Sequence, residues 1–333
     1  MNDMRTAIIT GISGQDGALL AHLLLNQQYN VIGTSRDSLD RKRFWRLDKL
    51  NIYDKIKLIT DSTEKIIQDF HPDEVYHLAG QSSVAKSFDL PFKTIKSNGF
   101  STLEWLEAIR KYSKSTRFYH ASSSEIFGTT NNYSRDESAN YHPRSPYAVS
   151  KLFSHFTTIN YREAYELFAS CGILFNHESF LRSEYFVTSK ISKGVANIAK
   201  NKQDSIEIGN LSIKRDWGHA KDYVKGMYLI LQHNKPDDFV LATGRLHTIR
   251  DFFTLAFKVA NINIEWKGEG AKELGVCSKS GKMLVKVNPK FYRPADINQS
   301  LGNSLKAQNK LGWKIEHTFE DIVSEMVNYE LNN

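Results

Sequence analysis

The run Gly11-Ile12-Ser13-Gly14-Gln15-Asp16-Gly17 limits what this chain can fold into more than any other segment. Its glycines have G-x-x-G-x-x-G spacing. They directly follow the apolar run Ala7-Ile8-Ile9 and directly precede a helical pattern from Ala18 to Asn26. A strand, a glycine turn and a helix in that order open a βαβ unit. Backbone without Cβ atoms lets a pyrophosphate approach closely, and the helix N-terminus offers it unpaired N–H groups and the positive end of a dipole. The spacing therefore points to a dinucleotide.

Further short apolar runs follow at Val31-Ile32, Lys57-Leu58-Ile59, Val75-Tyr76-His77-Leu78, Phe118-Tyr119-His120 and Ile173-Leu174-Phe175. Amphipathic stretches separate them, which predicts a Rossmann-type doubly wound parallel sheet in an α/β chain. After about Asn176 polar loops dominate, with one more strand-like run at Phe239-Val240-Leu241-Ala242. The expected division is a cofactor domain of residues 1–175 plus about 213–245. A smaller mixed α/β substrate domain would take about 176–212 plus 246–333.

With 333 residues the chain is long enough for both cores. It holds only two cysteines, Cys171 and Cys277, so no disulfide framework or cysteine-based zinc site is expected. The start Met1-Asn2-Asp3-Met4-Arg5 is unlike a signal peptide, and the apolar stretch Leu19–Leu25 is broken by His22. A cytoplasmic protein without a membrane contact is the expectation. The net charge is +7, and the densest basic segment, Arg36 to Lys57, mixes eight Lys/Arg with four Asp. No basic tail or aromatic-interleaved motif accompanies it, so a phosphorylated small molecule is expected rather than a nucleic acid.

The second strand ends in Gly33-Thr34-Ser35-Arg36, where an acidic residue would bind a ribose 2′-hydroxyl. Ser35 and Arg36 instead suit a 2′-phosphate, which favours NADP. Tyr147-Ala148-Val149-Ser150-Lys151 places a phenol and an ammonium on one helix face. A nearby cation favours phenolate, which makes Tyr147 a candidate base. Ser122-Ser123-Ser124-Glu125 follows a strand, at the end where such sheets bind ligands. Ser122 reads as a capping serine, whereas Glu125 reads as a working carboxylate. His77 and His120 read as packing residues at strand ends, Trp105, Trp217 and Trp313 as core or interface aromatics, and no metal site is expected.

Longer runs narrow the reading. Arg144 to Lys151, Asn160-Tyr161-Arg162-Glu163-Ala164-Tyr165, Gly172 to Ser179, Lys214 to Tyr223 and Phe291-Tyr292-Arg293-Pro294-Ala295 resemble GDP-mannose 4,6-dehydratases, in the extended short-chain dehydrogenase/reductase family. The resemblance runs from Ile8 to about Glu325. It implies an NADP-dependent, redox-neutral dehydration on a GDP-sugar, in a homo-oligomer (dimer or tetramer). Tyr147 would take the 4-OH proton, Lys151 would hold the nicotinamide ribose and depress the Tyr147 pKa, and Glu125 would remove the C5 proton. Glu125 or Ser123 would then protonate the departing water.

The resemblance also implies binding roles. Gly11, Ser13, Gly14, Gln15, Asp16, Gly17, Ser35, Arg36, Asp61, Ser62, Leu78, Ala79, Gln81, Tyr147, Lys151 and His177 would bind the cofactor. Ser82, Ser124, Asn176, Val187, Lys190, Gly209, Arg215, Arg293 and Asp296 would bind the GDP-sugar. Asp296 stands where the family usually has Glu. Ser123 stands where it has Thr, which keeps the hydroxyl. Phe180-Leu181-Arg182-Ser183-Glu184 replaces the family's Pro-Arg-Arg-Gly-Glu. Because that loop borders the sugar, GDP-N-acetylglucosamine and GDP-heptose are alternative donors, and a 4-epimerase or reductase is the alternative reaction.

Overall fold

The computed structural model describes residues 4–36, 39–129, 133–292 and 296–333. Seven strands form one sheet: β1 (Thr6–Thr10), β2 (Asn30–Thr34), β3 (Lys57–Ile59), β4 (Glu74–His77), β5 (Arg117–Ser123), β6 (Ala169–Leu174) and β7 (Phe239–Leu241). Their order is β7-β6-β5-β4-β1-β2-β3, and every neighbouring pair is parallel. Each apolar run singled out above contributes one strand. A parallel sheet is covered on both faces, so its strands read as continuous apolar runs; Ala7, Ile8 and Ile9 are all fully buried. The strand order reverses between β1 and β4, which opens a crevice at the carboxyl ends of the strands.

Helix α1 (Gln15–Asn26) starts three residues before the expected Ala18, because Gly14 takes an extended N-cap conformation. Its residues Ala18, Leu19, Leu20, Ala21 and Leu24 are buried. Helix α2 (Pro146–Tyr165) begins with two signals: Ser145 Oγ accepts a hydrogen bond from the Ala148 N–H at 3.1 Å, and Pro146 opens the first turn. These signals fix where Tyr147 and Lys151 emerge.

Beyond β6 the chain builds a four-stranded mixed sheet from Ile264–Lys267, Leu274–Cys277, Met283–Val287 and Ile206–Ile208. Helices Val187–Ala199, Ile249–Val259 and Phe319–Asn332 bury their apolar faces with it, around Phe252, Phe253 and Phe257. Capping boxes at Thr248/Asp251 and Thr318/Asp321 start two of these helices. Strand β7 returns to the main sheet, as the Phe239–Ala242 run suggested. Trp105, Trp217 and Trp313 are all buried. Among the described residues no helix is long and apolar enough to cross a membrane.

Candidate active site

A cavity of about 670 Å³ lies between the carboxyl ends of the main-sheet strands and the second half of the chain. On its sheet side it is lined by Asp16, Leu78, Gln81, Ser82, Ser123, Ser124, Glu125, Tyr147 and Lys151. On the other side stand Asn176, His177, Val187, Lys190, Gly209, Arg215 and Asp296. The expected reacting groups and most of the expected sugar-side residues thus share one space. Gly11, Ser13, Gly14, Gln15, Gly17, Ser35, Arg36, Asp61, Ser62 and Ala79 do not line the cavity; they follow β1, β2, β3 and β4 along the same edge. Arg293 lies outside the described residues.

The glycine turn is shaped by close approach. Gly11 has φ +72°, and a Cβ there would come within 2.9 Å of the Ala79 nitrogen. A Cβ on Gly17 would sit 2.4 Å from the Gly11 carbonyl oxygen, and the Gly14 N–H donates to that oxygen at 2.9 Å. Gly14 gives α1 no side-chain cap, so the first N–H groups of the helix remain available to an anion. These are the features a dinucleotide cradle needs, and the residues fit the group.

The turn is bound to the loop after β6. His177 Nε2 lies 2.9 Å from Asp16 Oδ2, and His177 Nδ1 lies 2.7 Å from the Phe175 carbonyl oxygen. Gln15 spends its amide on Asp16 Oδ1 and the His177 carbonyl, and accepts a hydrogen bond from the Ser179 hydroxyl. Burial opposes charge on Asp16, but His177 and Arg182 outweigh it and hold the carboxyl down at about 2. Burial also lowers the basicity of His177, and Asp16 overcomes it, so the imidazole pKa is raised. The two form an ion pair beneath the Tyr223 ring, whose centroid is 4.5 Å from that of His177.

At the carboxyl end of β5 Ser123 accepts a hydrogen bond from the Glu125 N–H at 3.3 Å and also bonds the Tyr147 hydroxyl. The cap expected of Ser122 therefore belongs to Ser123. The reason is strand alternation: Ser122 faces the other side of the sheet and leaves its hydroxyl without a partner among the described residues. Lys151 Nζ donates to the Ala121 carbonyl at 2.8 Å and stands 6.0 Å from the centre of the Tyr147 ring.

The expected depression of the Tyr147 pKa is not what this arrangement produces. Burial pushes the phenol up to about 12, against the opposing pull of the Ser123 hydrogen bond and of Arg182. Burial also pushes Lys151 down to about 8. Below about pH 8 Lys151 is charged in the folded and the unfolded chain alike, and burial penalises the fold. Between about 8 and 10.5 only the unfolded chain keeps the proton, so the penalty fades as pH rises through that window. Lys151→Met should therefore stabilise the protein at pH 7 by about 1–2 kcal/mol, the penalty of about 3 kcal/mol less the lost bond to Ala121. Urea unfolding would measure this.

Sequence reading missed Arg182 and Glu178. Glu178 is buried, accepts from the Thr188 hydroxyl at 2.7 Å and lies 3.0 Å from Arg182 Nε. The Arg182 guanidinium caps the Phe186 ring at 3.5 Å and lines the cavity. The available signal was that one arginine survives inside the divergent 180–184 segment. In that segment Leu181 is fully buried, and Phe180 packs on Tyr329 of the last helix at 5.0 Å. The new apolar bulk thus joins the protein's own core. Arg46 clamps the loop to the glycine turn, donating to the Leu181 and Ser13 carbonyls at 2.6 and 2.9 Å.

Toward the other end Arg215 donates to the Ile297 carbonyl at 2.6 Å and lies 3.3 Å from Asp296. Ser62 caps the helix Thr63–Phe70, and Asp61 pairs with Lys65. Among the described residues no group of three or more His, Cys, Asp or Glu is placed to hold a metal ion.

Comparison with known proteins gives the chain's family and fold. Residues 8–326 match the family described as GDP-mannose 4,6 dehydratase. The GDP-mannose 4,6-dehydratase of Sinorhizobium fredii (strain HH103) is 42% identical, over 100% of this chain and 98% of that protein. The GDP-mannose 4,6 dehydratase of Homo sapiens is 43% identical, over 98% of this chain and 91% of its own length. Among solved structures, RMD from Pseudomonas aeruginosa complexed with NADPH superposes with a TM-score of 0.76 at 20% identity, covering 99% and 100% of the two chains. DesIV (dTDP-glucose 4,6-dehydratase) from Streptomyces venezuelae, with NAD and TYD bound, gives 0.82 at 18% identity, over 98% and 97%. At that identity the structures speak for the fold.

Proposed function

The chain belongs to the GDP-mannose 4,6-dehydratase family, and from that membership we propose that it is an NADP-dependent hydro-lyase. It converts a GDP-hexose of the GDP-mannose type to the GDP-4-keto-6-deoxy sugar. The observation that carries this reading is the convergence of Ser123, Glu125, Tyr147 and Lys151 on one cavity that also holds Arg215 and Asp296. The relatives' names favour GDP-mannose over the N-acetylglucosamine and heptose donors. In this reading residues 1–175 with about 213–245 hold NADP, and about 176–212 with 246–333 hold the GDP-sugar.

The glycine turn and the start of α1 would hold the pyrophosphate of NADP, and Lys151 its nicotinamide ribose. When bound, the cofactor supplies reversible two-electron chemistry at the sugar. Tyr147 removes the 4-OH proton as C4 becomes a ketone, and Ser123 orients the phenol. The ketone acidifies the C5 proton, which Glu125 takes. Glu125 then delivers that proton to the C6 hydroxyl, which departs as water. The proton taken at O4 is balanced by one returned to C5, so no net proton or electron is consumed. A simple 4-epimerase or reductase has no need of the Glu125 carboxylate.

Ser35 and the exposed Arg36 at the end of β2 support NADP over NAD. Arg36→Ala should weaken NADP binding about 10–100-fold, the worth of one charge-assisted hydrogen bond, and leave NAD binding unchanged. Titration of both cofactors would show it. An apolar patch of Phe92, Phe100, Val149, Phe153 and Phe156, all exposed, spans α2 and the neighbouring short helices. It suits packing of a second copy in a dimer or tetramer, which sedimentation would test. A reducing cytoplasm suits the free thiols of Cys171 and Cys277.

The function is tested by mass spectrometry after incubation with NADP and GDP-mannose, GDP-N-acetylglucosamine or a GDP-heptose. Loss of one water from GDP-mannose without net NADPH is the expected result. No loss from any donor would overturn the reading.

A further inference from the structure

Parallel sheets covered on both faces are normally apolar throughout. This one is crossed by a polar row just below the cavity. The strand registers set Thr10 beside His77, His77 beside His120, and His120 beside Cys171, on four adjacent strands. All four are buried. Ser122, two residues after His120, shares its face of the sheet. The row lies under α2, where His155 stands one turn after Lys151 and accepts the Cys171 thiol on its carbonyl at 3.9 Å.

Several of these atoms have no partner among the described residues: both ring nitrogens of His120, the Ser122 hydroxyl and His155 Nδ1. Buried polar atoms are rarely left alone, because each unmet one is costly. Four in one place, on residues that pack together, are the mark of enclosed water. The ends of the row reach half-buried hydroxyls. Thr10 Oγ1 accepts the Ala79 N–H at 2.9 Å and lies 3.0 Å from His77 Nδ1. His77 Nε2 faces the Ser101 hydroxyl at 3.5 Å. His155 Nε2 faces the Tyr141 hydroxyl at 3.2 Å.

We propose that the row Thr10–His77–His120–Cys171, with Ser122 and His155, encloses buried water and serves as a proton path between Lys151 and the half-buried hydroxyls of Ser101 and Tyr141. It rests on the reading of Tyr147 and Lys151 as the proton-handling pair. The need for it is visible at Tyr147. Its phenol is protonated at rest, so it can take the 4-OH proton only as its own proton moves on. Lys151, 6.0 Å from the centre of the Tyr147 ring, also acts electrostatically on His77 and His120 in the row. Per turnover one proton enters the row and one comes back for C5, and nothing is oxidised or reduced. The groups that face His120 are Lys151 and His155 from α2, His77 from β4 and Cys171 from β6; burial first, and then Lys151, His77 and His155, keep its imidazole neutral. A neutral imidazole has one donor and one acceptor, as a relay through water requires.

Two measurements test this. A high-resolution crystal structure of the unaltered protein should show ordered water within about 3 Å of the His120 ring nitrogens; a dry row would overturn the proposal whatever the enzyme's substrate is. In the active enzyme, His120→Phe should lower kcat at least about tenfold with KM unchanged, less than the 10²–10⁴ of a direct acid–base group. It should also enlarge the solvent deuterium isotope effect on kcat, because the slowed proton transfer then limits turnover more fully, and His120→Gln should bring both part of the way back. A folded His120→Phe protein with the same kcat and isotope effect would contradict the path. If the unaltered protein turns over no GDP-sugar, the functional reading fails instead, and the water test still stands.

Discussion

Glu125→Gln is expected to lower product formation by about 10²–10⁴-fold, the usual worth of a positioned acid–base group. The amide keeps the shape of the side chain and its place after Ser123, so binding of GDP-mannose should change little. The loss should fall on one step. In the proposed reaction oxidation at C4 depends on Tyr147, Ser123 and Lys151, and these remain. The variant should therefore still oxidise C4, seen as reduction of bound NADP in a single turnover, while forming almost no dehydrated product. Single-turnover mass spectrometry separates the two. Full turnover by the variant would remove Glu125 from the chemistry, and an equal loss of both steps would make it a binding residue.

Tyr147→Phe should go further, because it blocks the first step on which all others depend. The expected loss is at least about 10³-fold in kcat, within the range for a lost acid–base group, with no reduction of bound NADP in a single turnover. The fold should tolerate it: the phenol's partners are Ser123 and the cavity, and the ring stays buried. Since burial holds the phenol at about 12, the unaltered enzyme should gain rate with rising pH until Lys151 loses its proton near 8. A rate independent of pH from 6 to 9 would speak against this pair.

The parts legible in the sequence were the local ones. Ala7-Ile8-Ile9 and its six counterparts read as strands because a buried parallel strand must be apolar along its length. The glycine turn read as a cradle because Gly11 and Gly17 touch backbone that no side chain could share. Ser145-Pro146 announced α2, and with it the direction of Tyr147 and Lys151. What stayed hidden depends on contacts between distant segments. Arg182 acquires its place only when the loop after β6 folds against α1 through Asp16 and His177. The polar row exists only through the register of four strands, so His77 and His120 looked like isolated packing residues. Ser122 and Ser123 exchanged the expected capping role because alternation along β5 decides which hydroxyl faces the turn.

The central claim is that one hydrogen moves within the sugar, from C4 to C6. GDP-mannose carrying deuterium at C4 tests it most directly. After reaction with unlabelled NADP in ordinary water, the account expects the product to keep the label, now at C6, with none in the recovered cofactor. A product without the label, or with it still at C4, would contradict the account.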